Sequence, residues 1–232
     1  MYKSKKILGV LGGMGPKATL YFLDILQRKT PAKIDQDHIH TIIDINSKIP
    51  DRTSAILSNN QIEINNELKK SVNRLKSAGA DFFMAPCNTV HFFSDALNSN
   101  PNLPFINLIE VTANALATEK IKRVGVLGTT GTINSMLYQK ALNEKNIEYI
   151  LPNEVQLKQL MLIIFEVVKK GLDPKLALND LSNIVQNYID QGAEKIILGC
   201  TELPIITQNI HNPIFIDPME VIADVCIQYA SE

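Results

Sequence analysis

The sequence predicts an α/β fold of two similar lobes, each a mostly parallel sheet flanked by helices, related by internal duplication with an active site between them. Three observations predict it. Short Val/Ile/Leu/Phe runs alternate with longer segments whose apolar residues recur every three or four positions, the periods of buried strands and amphipathic helices. One local pattern occurs twice, as S-A-G-A-D-F-F-M-A-P-C-N-T over 77–89 and D-Q-G-A-E-K-I-I-L-G-C-T-E over 190–202. Gly79 pairs with Gly192 and Cys87 with Cys200, both at an offset of 113 (192 − 79 and 200 − 87). Two further blocks repeat in the same order. G-V-L-G-G-M-G (9–15) matches G-V-L-G-T-T-G (125–131), and L-P-F-I-N-L-I-E-V (103–111) matches N-P-I-F-I-D-P-M-E-V (212–221).

Each element has its own warrant in chain order. The apolar runs at 7–11, 41–45, 82–85, 105–106, 124–127, 147–151, 196–198 and 214–216 read as strands; several are continuous, and an absence of alternation is what strands covered on both faces show. Segments 18–27, 54–78, 133–143, 156–170 and 174–191 carry helical periodicity. Asp173-Pro174 is a cap followed by a first-turn proline, a helix start. Strand alternating with helix gives right-handed crossovers and a parallel sheet. The lobes are expected at 1–115, carrying Cys87, and 116–232, carrying Cys200, with the last helix able to pack back on the first lobe. No low-complexity linker separates the halves, so a cleft between intimate lobes is expected. The glycine- and cysteine-bearing loops all follow strands, and ligands of open parallel sheets bind at the carboxyl ends of strands.

Composition narrows the function classes. The chain has 232 residues, 45% of them hydrophobic, and 23 basic residues against 24 acidic ones. That balance offers no electrostatic footprint for nucleic acid or an anionic membrane. No apolar run reaches the roughly 20 residues that span a bilayer. The N-terminal segment is basic then apolar, but its apolar run stops at Gly12-Gly13 without a cleavage site, so it reads as a first strand and not as a signal peptide. Three cysteines without close spacing fit a reducing cytoplasm better than a disulfide framework.

Cys87 and Cys200 each follow a strand and precede a helix start, where backbone N–H groups are expected to lower a thiol's pKa. Asn88, Thr89 and Thr201 supply donors suited to a carboxylate. Two thiols at equivalent points of two lobes would face each other across the cleft, an arrangement suited to moving a proton from one face of a carbon to the other. Cys226 lacks this context and reads as core packing on the last helix. The loops G-G-M-G-P (12–16) and G-T-T-G-T (128–132) join strand to helix, where free N–H groups bind anions. Neither has the spacing of a dinucleotide fingerprint or a P-loop. Arg52, in P-D-R-T, is either a surface arginine or one that clamps a carboxylate in bidentate fashion. Lys169 and Lys170 precede Gly171 and equally suit a helix C-terminus. His91 packs or hydrogen-bonds on the segment after Cys87. The alternative, a Cys–His hydrolase, leaves the second cysteine without a role. Glu202 positions Thr201 or holds a helix start. His38, His40 and His211 have no metal-ligand spacing.

Together G-G-M-G-P, P-D-R-T, C-N-T-x-H, G-T-x-G-T and G-C-T-E, in this order and over nearly the whole chain, resemble the aspartate/glutamate racemase family, which works without pyridoxal phosphate. The resemblance implies two α/β lobes, often in a homodimer, with no cofactor and no metal. It implies that Cys87 and Cys200 are the paired acid and base. It places the side-chain carboxylate of the substrate on Arg52 and Lys169, with Lys170 as the neighbouring alternative. Met14, Asn88, Thr89, Thr130, Gly131, Thr132 and Thr201 complete the implied substrate contacts. Met14 stands where an acidic residue is expected in glutamate racemases, and Val90 replaces a commoner small residue. Both cysteines are present, which favours a true racemase over one-sided relatives. The implied reaction is interconversion of L- and D-aspartate in the cytoplasm. The alternatives are glutamate or another amino acid as substrate, or a two-lobed small-molecule binder without catalysis.

Overall fold

A computed structural model describes residues 5–207 and 213–232. His211, Asn212 at the head of the last repeat block, and the first four residues of the basic N-terminal segment lie outside the described residues. The chain divides into two compact units, Met1–Val111 with Met219–Glu232, and Thr112–Pro218.

The first unit is built on β1 (Leu8–Gly12), which pairs in parallel with β2 (Thr41–Ile45) and β3 (Phe82–Met84) in the order β2-β1-β3. Phe105 adds a single parallel bridge to Phe83 beyond β3; the expected strand at 105–106 is reduced to that. The helices in chain order are α1 (Pro16–Lys29), α2 (Arg52–Leu57), α3 (Ile62–Ser77) and α4 (Ser94–Leu97); α5 (Leu108–Thr118) begins in this unit and passes into the second at Thr112. α3 buries Ile64, Leu68, Val72 and Leu75, the three- and four-residue spacing that makes one apolar stripe. The helix expected over 54–78 is broken between Leu57 and Ile62. Asn59 takes a left-handed conformation (φ 54°) there, which Asn tolerates better than most residues.

The second unit repeats the plan. β4 (Arg123–Gly128), β5 (Glu148–Ile150), β6 (Lys195–Gly199) and β7 (Phe215–Ile216) form a parallel sheet in the order β5-β4-β6-β7. Strand for strand this is β2-β1-β3 again, with β7 where the first unit has only the Phe105 bridge. The helices are α6 (Thr130–Asn134), α7 (Leu137–Glu144), α8 (Glu154–Leu162), α9 (Leu178–Asp190) and α10 (Leu203–Thr207). Gly125 is required by packing, because a Cβ on it would run into the ring of Tyr188. Tyr188 is fully buried and its hydroxyl donates to the Val126 carbonyl at 3.3 Å. The helix expected over 133–143 breaks at Met136 (φ 56°). That over 156–170 widens into a π-helix at Ile163–Val168. The start at Asp173-Pro174 is a 3-10 turn, with the Asp173 side chain accepting from the Lys175 N–H.

The last helix, α11 (Pro218–Ser231), packs in the first unit from Met219 onward, as the sequence allowed, and the units divide at 111/112 where 115/116 was expected. Met219, Ile222, Ala223, Cys226 and Ala230 bury one stripe among Leu8, Val10, Phe22, Phe82 and Met84. Burying Met219 and Ile222 contributes about 1.5–3 kcal/mol each. Lys29 of α1 bridges Glu220 (3.1 Å) and Asp224 (2.8 Å) of α11. Cys226 is core, as expected.

Candidate active site

In each unit the chain leaves its central strand to one side (β1 to β2, β4 to β5) and returns on the other (β3, β6). The carboxyl ends of β1 and β3, and of β4 and β6, therefore flank a switch point where open α/β sheets bind ligands. The chemistry-bearing loops occupy these ends.

After β1 the chain passes through Gly13, whose φ of 96° and approach to Asn46 (a Cβ would lie 2.6 Å from its backbone) admit only glycine. Its N–H donates to Thr19 Oγ1 at 3.1 Å, which ties the loop to α1. Met14 turns its side chain into the core and is 3% exposed. The side chain packs with Leu11, Ile49 and Ala55 among others in one hydrophobic cluster. Its carbonyl accepts from Arg52 Nη2 at 2.8 Å.

Arg52 opens α2, whose start is capped by Asp51 accepting from the Ser54 N–H at 2.8 Å. Arg52 as a whole is 9% exposed. Nη1 donates to the Pro50 carbonyl at 3.1 Å, while Nε is buried without a hydrogen-bond partner. Among the described residues no carboxylate pairs with it. A buried cation held only by two carbonyl dipoles is poorly compensated, and it has the fork that grips a carboxylate.

Cys87 follows β3 and is buried, as are Asn88 and Thr89. His91, in the 3-10 turn Thr89–Phe93, faces the Cys87 carbonyl (2.9 Å) and the Asn88 carbonyl (3.1 Å) with Nδ1. The Leu108 N–H donates to its Nε2 at 3.0 Å. Those partners assign the proton to Nδ1 and leave no free nitrogen for a sulfur. Burial pushes the imidazole pKa down to about 4. His91 is thus a neutral clamp between the cysteine loop and the first turn of α5, and the Cys–His hydrolase reading has no base.

Cys200 follows β6 and is 6% exposed. Its Sγ donates to Glu202 Oε2 at 3.0 Å, and Thr201 Oγ1 donates to the same oxygen at 3.2 Å. The expected lowering of its pKa does not occur. Burial, then the Glu202 charge, push the thiol well up, against the Glu202 N–H and the Lys169 charge, which pull it down. Desolvation, the largest of these, outweighs the N–H at the start of α10. Sequence reasoning read Glu202 as a partner of Thr201 or a cap and missed its bond to the sulfur. The signal was a carboxylate two residues after a cysteine in G-C-T-E.

The Thr129 side chain caps α6 by accepting from the Thr132 N–H at 3.2 Å. The two hydroxyls lie 3.2 Å apart, so that of Thr132 serves the cap. Gly131 is buried, and the Thr130 N–H donates to Met161 Sδ at 3.3 Å. Lys170 is tied to Glu166 in an ion pair one turn back. Lys169 Nζ instead lies 4.1 Å above the Phe165 ring, and its charge reaches Cys200.

The family profile described as Asp/Glu/Hydantoin racemase matches residues 11–226. The chain belongs to the Asp/Glu/hydantoin racemase family. It is 29% identical over 216 residues, 90% of each chain, to the broad-specificity amino-acid racemase RacX of Bacillus subtilis. It is 32% identical to the glutamate racemase of Aquifex aeolicus over 162 residues, 66% of this chain and 58% of that one. Among solved structures it superposes on Picrophilus torridus aspartate racemase with a TM-score of 0.86 and 31% identity, over 97% of this chain and 94% of that one. For this family member, Cys200, Thr201 and Glu202 form one hydrogen-bonded cluster, and Arg52 and Met14 another. Among the described residues no group of three His, Cys, Asp or Glu side chains could hold a metal ion. No helix among them is long and apolar enough to cross a membrane.

Proposed function

We propose that this chain racemises an acidic amino acid, aspartate foremost, by two-base proton transfer at Cα, with Cys87 and Cys200 as the two bases and no cofactor. The observation that carries the reading is the equivalence of the two cysteines. Each stands within three residues of the carboxyl end of the strand beside the central one, in units of the same strand order. A racemase needs two such groups, one for each face of Cα.

Burial and the Glu202 charge disfavour a thiolate on Cys200, so it enters as the thiol. In that direction Cys200 delivers its proton to one face of Cα while Cys87 takes the α-proton from the other. For the reverse direction the roles exchange, and the Glu202 N–H and Lys169 charge stabilise the thiolate left on Cys200. The α-proton is far less acidic than a thiol, so the enediolate-like charge that develops must be stabilised. Asn88, Thr89, Thr130, Gly131 and Thr201 are the donors proposed for it.

Arg52 supports a substrate with a second carboxylate, since that group would meet its uncompensated guanidinium. Lys169 supplies the second cation. The Picrophilus aspartate racemase likeness supports the same reading. The name of RacX raises a wider range of amino acids, so the test uses a panel. Purified protein is incubated in heavy water, without pyridoxal phosphate, with L-aspartate, L-glutamate or neutral amino acids. Loss of optical activity with deuterium at Cα is expected for aspartate and is abolished by Cys87→Ala and by Cys200→Ala. Full activity in either variant, or no exchange with any amino acid, overturns the reading.

A further inference from the structure

A stack runs from α8 through the π-helix that follows it to Lys169. Met161, Phe165 and Lys169 are spaced by four residues. Met161 Sδ accepts from the Thr130 N–H at 3.3 Å, at the head of α6. The Lys169 ammonium lies 4.1 Å from the centre of the Phe165 ring. Lys169 is exposed and has a long stem, so in water its ammonium would sample many positions. The neighbouring Lys170 is fixed differently, by Glu166. The π-helical ladder, in which the Lys169 N–H donates to the Ile164 carbonyl at 3.0 Å, sets which lysine stands over the ring.

We propose that Phe165 is a positioning residue that holds the Lys169 ammonium over its ring, and so sets the preference for a substrate with a second carboxylate. The proposal rests on the reading of Lys169 given above. A ring face attracts an ammonium without neutralising it. A carboxylate in the same place would hold the lysine but cancel the charge that a dicarboxylic substrate needs. The charged groups acting on the Cys200 thiol are Glu202, at the start of α10, and Lys169. A displaced Lys169 therefore leaves Glu202 unopposed by any side-chain charge. Phe165 is half-buried and borders a cavity of about 610 Å³ with Thr130, Leu157, Met161 and Leu162. That space lets a larger ring replace it.

The test compares Phe165→Leu, Phe165→Trp and Lys169→Met. Phe165→Leu is expected to raise KM for aspartate about two- to fivefold, the worth of an exposed cation–ring contact, with kcat held and alanine exchange unchanged. A second readout needs no substrate. In a Cys87→Ser, Cys226→Ser background the thiolate absorbance of Cys200 is titrated. Phe165→Leu should move the midpoint up, in the same direction as Lys169→Met and by less. Phe165→Trp, which keeps a ring face, should restore both quantities. The proposal is overturned if Phe165→Leu leaves KM and midpoint at wild type while Lys169→Met shifts them, or if the leucine variant impairs aspartate and alanine alike. If Lys169→Met changes neither quantity, the carboxylate role of Lys169 falls and the proposal with it.

Discussion

Protonating His91 should unfold this protein from the cysteine loop outward. The imidazole is buried, with Nδ1 donating to the Cys87 and Asn88 carbonyls and Nε2 accepting from the Leu108 N–H. A second proton would sit on Nε2, pointing at a donor. The folded pKa is about 4 against 6.5 for a free histidine, so between those values the unfolded chain binds more protons than the native one. Stability is therefore fully present above about pH 6.5 and is lost as pH falls, levelling off near pH 4. A depression of about 2.5 units corresponds to roughly 3 kcal/mol in all, of which about 2 kcal/mol is gone at about pH 5. Urea unfolding of wild type and His91→Asn across this range isolates the contribution, since carboxylates that also weaken the fold in acid are common to both. The variant begins lower at neutral pH, because the Leu108 N–H loses its acceptor, at about 1–3 kcal/mol. Its curve should then run flatter by about the 2 kcal/mol at pH 5. Parallel curves for the two proteins would refute the neutral, buried clamp.

Three further outcomes follow from the same geometry. Glu202→Gln removes the negative charge beside Cys200, so the thiol midpoint should move down in an absorbance titration; catalysis should fall by about 10²-fold or more if the carboxylate assists proton transfer. An unmoved midpoint would remove Glu202 from the site. Arg52→Lys keeps the charge but loses the fork, so KM for aspartate should rise about tenfold or more while any exchange of alanine is spared; equal losses for both substrates would make Arg52 structural. Gly125→Ala forces a methyl group into Tyr188 and should cost about 1–3 kcal/mol in urea unfolding, and unchanged stability would show that the ring has room to move.

Much of this protein was legible in the chain because its signals are local. The strand at Leu8–Gly12 falls within one residue of the apolar run at 7–11 and is buried along its length, since a strand covered on both faces needs nothing but that run. The duplication placed Cys87 and Cys200 at equivalent strand ends without knowledge of sheet order, because repeat offsets survive in the sequence. Asp173-Pro174 marked a helical start by cap chemistry alone. Tertiary structure decided what depends on partners distant in the chain. Leu108 fixes His91 from seventeen residues away, and no pattern around the histidine names it. Met14 looked like a loop side chain but is drawn into the core while its carbonyl holds Arg52. The Cys200 thiol is shifted up because burial, a property of the whole fold, outweighs the local helix start that the sequence displays. The assignment of α11 to the first unit follows from apolar area shared with β1, β3 and α1. Periodicity reports that a helix has an apolar stripe; only the packed sheet decides what that stripe covers.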